Sequence, residues 1–425
     1  MEKFIVTGGK KLSGEITPAG NKNEALPLLA AVLLTESKIT IHNLPDIGDI
    51  GSMKKILESL GVNIRFLGES SWEFDASNLI SFEPDAALSK AIRGSFLLLA
   101  PLLHRFGKTK AYIPGGDTIG KRRLDTHVIP LTKMGAKFTH GVDHFAATAK
   151  GLKGCYLLLD EASVMATEHL VMAAVLAAGT TTIYNAACEP HVQGLCNMLV
   201  DMGANISGIG SNLLVIEGVK ELGGTEHRVS PDHIEIGSFI GLAAVTGSEI
   251  TIKNVDFDKL GQILPYFSRL GVNVKQVGDD MLIPAKQSLK IQNDLDQSIP
   301  KIDDAPWPGF PADLSSIMTI VATQCDGNIL IFEKLFESRL FWVDKLIGMG
   351  AKIVLCDPHR AVINGPAPLR GTTLHSPDIR AGMALLIAAL CAKGTSEIHN
   401  IYQIDRGYQS IDTRLNALGA DIQRV

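Results

Sequence analysis

The chain has 425 residues, of which 46% are hydrophobic and 20% are charged, as in an ordinary globular protein. This length allows two domains with separate cores. The formal net charge of −5 gives no overall attraction to nucleic acid or to an acidic membrane surface, so neither is expected as a partner. The first residues show no signal-peptide pattern, and apolar runs such as 383–392 are too short to span a bilayer. The sequence therefore predicts a cytoplasmic protein.

The six cysteines are scattered and contain no C-x-x-C motif. This usage is typical of reduced thiols that pack in cores. A zinc site at Cys188, His191 and Cys196 is an alternative, but no second pair of ligands completes the spacing. No metal is therefore predicted.

Two patterns recur along the chain and predict its architecture. The pattern apolar-x-x-apolar-Gly-(Ala/Val)-x-apolar occurs six times, and each copy predicts a helix that ends at a glycine and is followed by a strand. Its glycines are Gly61, Gly135, Gly203, Gly271, Gly350 and Gly419. In most units it follows an apolar helix, a turn and a strand that often ends in asparagine. The sequence predicts six α/β units, three in each domain, with a boundary near 229–232.

A glycine-rich stretch near residue 115 is the first candidate for chemistry. Glycines let the backbone approach a ligand closely, and the cations that follow, including Arg122, can hold an anion. Asp117 would repel an anion, so proton transfer is its expected task. Gly115-x-x-x-x-Gly120-Lys121 also matches the start of a P-loop, but Arg122 stands where Mg²⁺ coordination needs Ser or Thr. A surface turn with solvated charges is the other alternative.

Five further stretches, together with the sixfold repeat, resemble the enolpyruvyl transferase family over essentially the whole chain. They are residues 20–27, 114–120, 310–313, 336–339 and 404–408. Within the family the resemblance is to the branch that acts on UDP-N-acetylglucosamine. The branch that makes enolpyruvyl-shikimate phosphate shares the repeat but differs at 20–27 and at 114–120.

The resemblance implies a fold and a division into domains. The expected fold is α/β, a two-domain inside-out α/β barrel of six βαβαββ-like repeats with the helices inside. The first domain would comprise 22–231 and carry the lid loop 113–124. The second would comprise 1–21 plus 232–425. A TIM barrel needs eight shorter units, and a classical Rossmann fold needs a G-x-G-x-x-G motif that is missing here.

The resemblance also implies the reaction. The enolpyruvyl group of phosphoenolpyruvate would pass to the 3-hydroxyl of UDP-N-acetylglucosamine by addition and elimination, releasing phosphate. This is the first committed step of peptidoglycan synthesis. The implied partners are these two small molecules, and no metal or organic cofactor is implied.

The implied site residues fall into three groups. The catalytic group contains Asp117 as general acid, Asp313 as base, Lys22 and Arg406. The residues expected to bind phosphoenolpyruvate are Lys22, Asn23, Arg122, Arg339, Arg380 and Arg406. The residues expected to bind UDP-N-acetylglucosamine are Asn23, Arg93, Arg122, Arg123, Leu124, Asp125, Thr126, Glu161, Ala162, Ser163, Val164, Asp313 and Leu335.

Three positions depart from the family pattern. Met165 stands where glycine is usual and Arg123 where proline is common, and both concern the nucleotide side. They leave open an enolpyruvyl transferase with a different nucleotide acceptor. Asp117 stands where cysteine is common, which predicts resistance to fosfomycin because this compound alkylates the usual thiol. A non-catalytic sugar-nucleotide sensor is the remaining alternative, although such a sensor need not keep an acid and a base.

Overall fold

A computed structural model of the protein describes residues 2–115, 119–120 and 122–425. Within these ranges, no helix combines the length and the hydropathy of a membrane span. The α-helices are α1 (Lys22–Ala31), α2 (Gly48–Leu60), α3 (Ala86–Ala91), α4 (Leu99–Phe106), α5 (Asp125–Lys133), α6 (Val164–Ala174), α7 (Pro190–Asp201), α8 (His233–Thr246), α9 (Ile263–Arg269), α10 (Ser315–Ala322), α11 (Val343–Gly348), α12 (Ile379–Cys391), α13 (Tyr402–Asp405) and α14 (Ile411–Ala417).

Short strands alternate with these helices along the described chain. They are β1 (Lys3–Thr7), β2 (Ser13–Ile16), β3 (Ile39–His42), β4 (Asn63–Gly68), β5 (Ser71–Asp75), β6 (Lys108–Tyr112), β7 (Lys137–His140), β8 (His144–Thr148), β9 (Tyr156–Leu158), β10 (Thr180–Tyr184), β11 (Asn205–Ser207), β12 (Leu213–Glu217), β13 (Thr225–Arg228), β14 (Glu249–Ile252), β15 (Lys275–Val277), β16 (Asp280–Ile283), β17 (Lys301–Asp303), β18 (Gly327–Phe332), β19 (Ile353–Asp357), β20 (Arg360–Gly365), β21 (Thr373–His375), β22 (Thr395–His399) and β23 (Ile422–Arg424). Short 3-10 helices lie at Val32–Leu34, Arg93–Leu98, Phe257–Lys259 and Ala312–Leu314.

The six repeat glycines lie where the sequence predicts them. Each follows a helix, namely α2, α5, α7, α9, α11 or α14, and precedes a strand. All six adopt positive φ, between 76° and 107°, a conformation that glycine tolerates without steric cost. The helix–glycine–strand prediction is therefore confirmed in every unit.

The strand-ending asparagines are a second repeated feature. They also take the left-handed conformation, which asparagine tolerates better than most residues. These residues are Asn43, Asn185, Asn254 and Asn400, with φ between 52° and 62°. Three of their side-chain amides donate to backbone carbonyls just beyond a neighbouring strand, at distances of 2.8 to 3.0 Å. The asparagine thus turns the chain and ties two strand ends together.

The described strands form six sheets, five of which share one pattern. In each of the five, a parallel pair lies at one edge and two antiparallel pairs follow. Their orders are β13-β3-β5-β4, β9-β10-β12-β11, β2-β14-β16-β15, β17-β18-β20-β19 and β21-β22-β1-β23. The sixth sheet, β6-β8-β7, contains no parallel edge strand among the described residues.

The described chain divides into two compact units. The amino-terminal unit contains residues 20–115 and 122–230, and the carboxy-terminal unit contains 2–19, 119–120 and 231–425. Residues 119–120 of the expected lid loop thus group with the carboxy-terminal unit. The assignment of these units to the domains 22–231 and 1–21 plus 232–425 stays a prediction.

Each unit has its own core around buried helices. In the carboxy-terminal unit, α8, α10 and α12 contact one another and bury nearly every residue. In the amino-terminal unit, α6 contacts both α1 and α4. Most of α12 is apolar on every side and is buried, and α6 is buried from Ala166 to Ala174 although it includes the polar residues Glu168 and His169.

Capping side chains start several of these inner helices. Asn21, Ser163, Asp232 and Asp378 each accept a hydrogen bond from a backbone N–H of the first turn of α1, α6, α8 and α12, respectively. Since predicted site residues lie one or two positions after three of these caps, the caps fix where those side chains lie on their helices.

Candidate functional site

Lys22 is the first residue of α1 and forms a buried ion pair. Asn21 caps the helix by accepting from the backbone N–H of Glu24 at 3.0 Å. The Lys22 ammonium lies 2.8 Å from a carboxylate oxygen of Asp49, in the first turn of α2, and both side chains are buried. No sequence pattern selects Asp49, because an acidic residue in a first helical turn is common. Asn23 lies beside this pair and is half-buried.

Arg93 is held against the chain that precedes α5. Its Nη2 donates to the backbone carbonyls of Arg122 and Arg123, each at 3.3 Å. Burial, together with the neighbouring charge of Arg122, lowers the pKa of Arg93 to about 10, and Glu161 opposes the shift. Arg93 thus holds the backbone of 122–123 in place.

Arg123 connects the two segments that were assigned to the sugar nucleotide. Its Nη1 lies 2.6 Å from Asp160 Oδ2, and its Nε lies 3.4 Å from Asp125 Oδ2. The loop after Asp160 leads to Ser163, whose N–H donates to the carbonyl of Glu161 at 2.8 Å. The structure therefore brings 93, 122–126 and 161–164 together within the amino-terminal unit.

The remaining nucleotide-side residues lie on the starts of α5 and α6. Leu124 precedes α5, Thr126 is buried in its first turn, and Ala162 and Val164 flank the cap of α6. Met165, the departure from the family pattern, packs partly buried against the core of its unit. Its side chain therefore has a packing role in addition to any effect on a ligand.

In the carboxy-terminal unit, two arginines grip Asp313. Asp313 lies in the 3-10 helix that leads into α10. Arg339 Nη2 lies 2.7 Å from Oδ1, whereas Arg380 approaches Oδ2 with Nε at 3.0 Å and Nη2 at 2.9 Å. Both guanidinium groups are buried, so without this carboxylate their positive charges would lack a close counter-charge.

Arg380 is oriented by its own helix and by an aromatic ring. Asp378 caps α12 and accepts from the backbone N–H of Arg380 at 2.8 Å. Arg380 Nη1 lies 3.4 Å from the Tyr408 hydroxyl, which in turn lies 3.0 Å from Ser238 Oγ. Burial, together with the charge of Arg380, lowers the pKa of the nearby His233 to about 4. His233 is therefore neutral near pH 7.

A buried acidic pair supports the segment that carries Leu335. Asp304 accepts hydrogen bonds from the backbone N–H groups of Lys334 and, at 3.2 Å, of Leu335, whose side chain is exposed. Burial raises the pKa of Glu333 to about 8, with Arg339 opposing the shift and Asp304 adding to it. Asp304 and Glu333 were not among the predicted site residues.

The described part of the lid loop packs against the same segment. The N–H of Ser338 donates to the carbonyl of Ile119 at 3.1 Å, and Ile119 is buried. A Cβ on Gly120 would lie 3.1 Å from the backbone nitrogen of Glu337, and Gly120 has a φ of +132°. Only glycine fits this approach without strain. Asp117, the predicted general acid, lies outside the described residues.

Arg406 is the last of the predicted cations. It is buried beyond α13, and its Nη1 donates to Gln403 Oε1 at 2.8 Å. The predicted cations are thus distributed over both units, with Lys22 and Arg122 in one and Arg339, Arg380 and Arg406 in the other.

Two alternatives from the sequence find no support. No three His, Cys, Asp or Glu side chains of the described chain are grouped so that they could hold a metal ion. Among the residues described after β6, the first helix begins at Asp125, whereas a P-loop opens a helix at its lysine.

Comparison with known proteins identifies relatives over the full length. A family model described as EPSP synthase (3-phosphoshikimate 1-carboxyvinyltransferase) matches residues 6–415. The chain is 55% identical over 434 aligned positions to the UDP-N-acetylglucosamine 1-carboxyvinyltransferase of Bacteroides fragilis, covering 100% of both chains. It is 52% identical over 423 positions to the protein of the same name from Bradyrhizobium diazoefficiens, covering 100% of this chain and 98% of the relative.

Solved structures share the fold at lower identity. The enolpyruvyl transferase NikO from Streptomyces tendae matches with a TM-score of 0.89 and 24% identity, covering 100% of this chain and 99% of that chain. An EPSP synthase from Acinetobacter baumannii matches with a TM-score of 0.75 and 18% identity, covering 100% of both chains. The predicted fold class is confirmed, and the likeness at these identities extends to the fold alone.

Proposed function

Since the chain belongs to the EPSP synthase family of enolpyruvyl transferases, we propose that it transfers the enolpyruvyl group of phosphoenolpyruvate to the 3-hydroxyl of UDP-N-acetylglucosamine, with release of phosphate. The main support for this proposal is the 55% identity over the whole chain with a relative named for this activity. The activity is the first committed step of peptidoglycan synthesis, and we assign it to the cytoplasm. The two compact units would be the two domains of the transferase.

The cations would hold the anionic substrate and the charge that develops on it. Lys22, Arg122 and Arg406 are assigned to the phosphate of phosphoenolpyruvate, with Arg339 and Arg380 as further anion contacts. Buried guanidinium groups suit this task because their geometry is fixed before the substrate binds. The ion pair between Lys22 and Asp49 would orient the ammonium.

The proton transfers are assigned to two carboxyl groups. Asp313 would accept the proton of the sugar hydroxyl as that oxygen attacks phosphoenolpyruvate. The ion pairs with Arg339 and Arg380 would orient the Asp313 carboxylate for this step. Asp117 would give a proton to the methylene carbon, which makes the adjacent carbon electrophilic. The tetrahedral adduct then loses phosphate and a proton to form the enolpyruvyl ether.

The sugar nucleotide would lie along the segments at 93, 122–126 and 161–164, with Asn23, Asp313 and Leu335 on the sugar. Arg123 and Met165 do not redirect the acceptor in this proposal. Arg123 is engaged with two carboxylates at the edge of the site, and Met165 packs against the core.

The test is phosphate release from phosphoenolpyruvate in EDTA, with and without UDP-N-acetylglucosamine. Release that requires the sugar nucleotide and survives EDTA is the expected result. Release only with another nucleotide would overturn the acceptor but keep enolpyruvyl transfer. No release with any acceptor would overturn the transferase and favour a sugar-nucleotide sensor.

A further inference from the structure

A pair of buried histidines lies beneath the segments assigned to the sugar nucleotide. His127, in the first turn of α5, and His169, in α6, place their Nδ1 atoms 3.1 Å apart. Both imidazoles are buried. α5 begins directly after 122–124, and α6 begins directly after 161–163. This hydrogen bond therefore links the two helices that follow the segments assigned to the sugar nucleotide.

The hydrogen bonds fix the tautomer of each ring. The backbone N–H of Ala100 donates to His169 Nε2 at 3.0 Å, so this nitrogen carries no proton. Burial lowers the pKa of His169 to about 3, which keeps its ring neutral and places the single proton on Nδ1. That proton points to His127 Nδ1, which must therefore accept. The chain of donors runs in one direction, from Ala100 through His169 to His127.

Residues 93–100, which include Ala100, also contact the backbone at 122–123 and the ring of His127. Residues 93–100 contain Arg93, which binds the carbonyls of Arg122 and Arg123, and Phe96, whose ring lies edge-on to His127 at 5.0 Å. The third contact is the hydrogen bond from the Ala100 N–H to His169 Nε2. The backbone at 122–126 is therefore held by a guanidinium group at one end and by an imidazole at the other.

We propose that the His127–His169 pair is a positioning element of the acceptor site, which sets the spacing between 122–126 and 161–164 for the sugar nucleotide. The imidazoles contact no reacting atom in this proposal. The inference rests on the proposed function, because those two segments are the ones assigned to UDP-N-acetylglucosamine.

Two variants of His169 separate this role from a purely structural one. His169→Asn keeps a donor near the position of Nδ1, so the bond to His127 survives while the bond from Ala100 is lost. His169→Gln keeps an acceptor near the position of Nε2, so the bond from Ala100 survives while the bond to His127 is lost. Each variant buries an amide and removes one hydrogen bond, so a structural role predicts equal effects.

The expected result is a selective change in affinity for the acceptor. His169→Gln should raise the KM for UDP-N-acetylglucosamine roughly five- to tenfold, the weight of one buried hydrogen bond. The KM for phosphoenolpyruvate and kcat should stay within about threefold, and His169→Asn should resemble the wild type in all three constants. Equal effects of both variants, or an unchanged KM in His169→Gln, would overturn the proposal.

A second measurement does not depend on turnover. Hydrogen exchange at the amides of 122–128 should be faster in His169→Gln than in His169→Asn, whereas β7 and β8 should exchange alike in both. Equal exchange at 122–128 would overturn the positioning role. If the wild-type protein releases no phosphate with UDP-N-acetylglucosamine, the proposed function fails, and the exchange result still decides the role of the pair.

Discussion

Replacing Asp313 by alanine is expected to cost stability, because this carboxylate balances two buried guanidinium groups. Arg339 and Arg380 approach its oxygens to 2.7 and 2.9 Å and are only 4% and 5% exposed. Removing one partner of a buried ion pair typically costs about 3–5 kcal/mol, since the other charge stays buried. The Asp313 side chain is itself 29% exposed, so water screens part of the interaction. We therefore expect a loss near the lower end, about 3 kcal/mol of unfolding free energy.

The assay pairs urea unfolding with phosphate release and includes a matched control. Asp303 also contacts two cations, Lys301 at 3.1 Å and Lys334 at 2.7 Å, but these lysines are 54% and 39% exposed. Asp303→Ala should cost about 0–1 kcal/mol and leave kcat unchanged. Asp313→Ala should also lower kcat by about 10²–10⁴-fold, the usual contribution of a general base. A stability loss no larger than that of Asp303→Ala would refute the reasoning from burial, and an unchanged kcat would refute the assignment of the base.

Three further results are expected. Asp49→Ala should lower the free energy of unfolding by about 3–5 kcal/mol, because it strands the buried Lys22 ammonium; in urea unfolding, the double variant Lys22→Met/Asp49→Leu should recover most of that loss but no turnover. Burial raises the pKa of Glu333 from 4.5 to about 8, so the folded protein keeps a proton that the unfolded chain releases, and its stability falls as the pH rises from 4.5 to 8. Glu333→Gln should therefore melt above the wild type at pH 9 but near it at pH 4.5, and an equal difference at both values would contradict this assignment. Fosfomycin should leave the wild-type mass unchanged and add to Asp117→Cys; a labelled wild-type protein would show that Asp117 is wrongly assigned.

The repeated architecture could be predicted because its signals are local. A glycine at positive φ after a helix and an asparagine at positive φ after a strand depend on the conformation of a few neighbouring residues. Such backbone preferences are visible in the sequence at each occurrence. The number of repeats then followed from counting, and the resemblance to a family supplied the inside-out arrangement. The sheet of β6, which has no parallel edge strand among the described residues, shows no such local signal in the sequence.

The partners of the site residues could not be predicted in the same way. Asp49 meets Lys22, and His169 meets His127, only because separate helices pack together. Each of these side chains alone is consistent with an ordinary helix position. The predicted segments 122–126 and 161–164 do meet near Arg93, although its bonds to the backbone of 122–123 were not foreseen. Sequence motifs thus indicated which residues could meet a ligand, and the fold revealed what holds them.

The sheet β21-β22-β1-β23 has a consequence for how the chain matures during synthesis. Phe4 in β1 pairs with Ile398 in β22 and with Arg424 in β23, so the first strand must wait for the last. At about 5–20 residues per second, a ribosome needs roughly 20 to 80 seconds to reach those partners. Residues 20–230 are synthesised well before β22 and β23, so the amino-terminal unit can fold while β1 is still unpaired. We expect nascent chains arrested near residue 250 to protect the amino-terminal unit from proteases and to leave β1 open to cleavage or to capture by a chaperone.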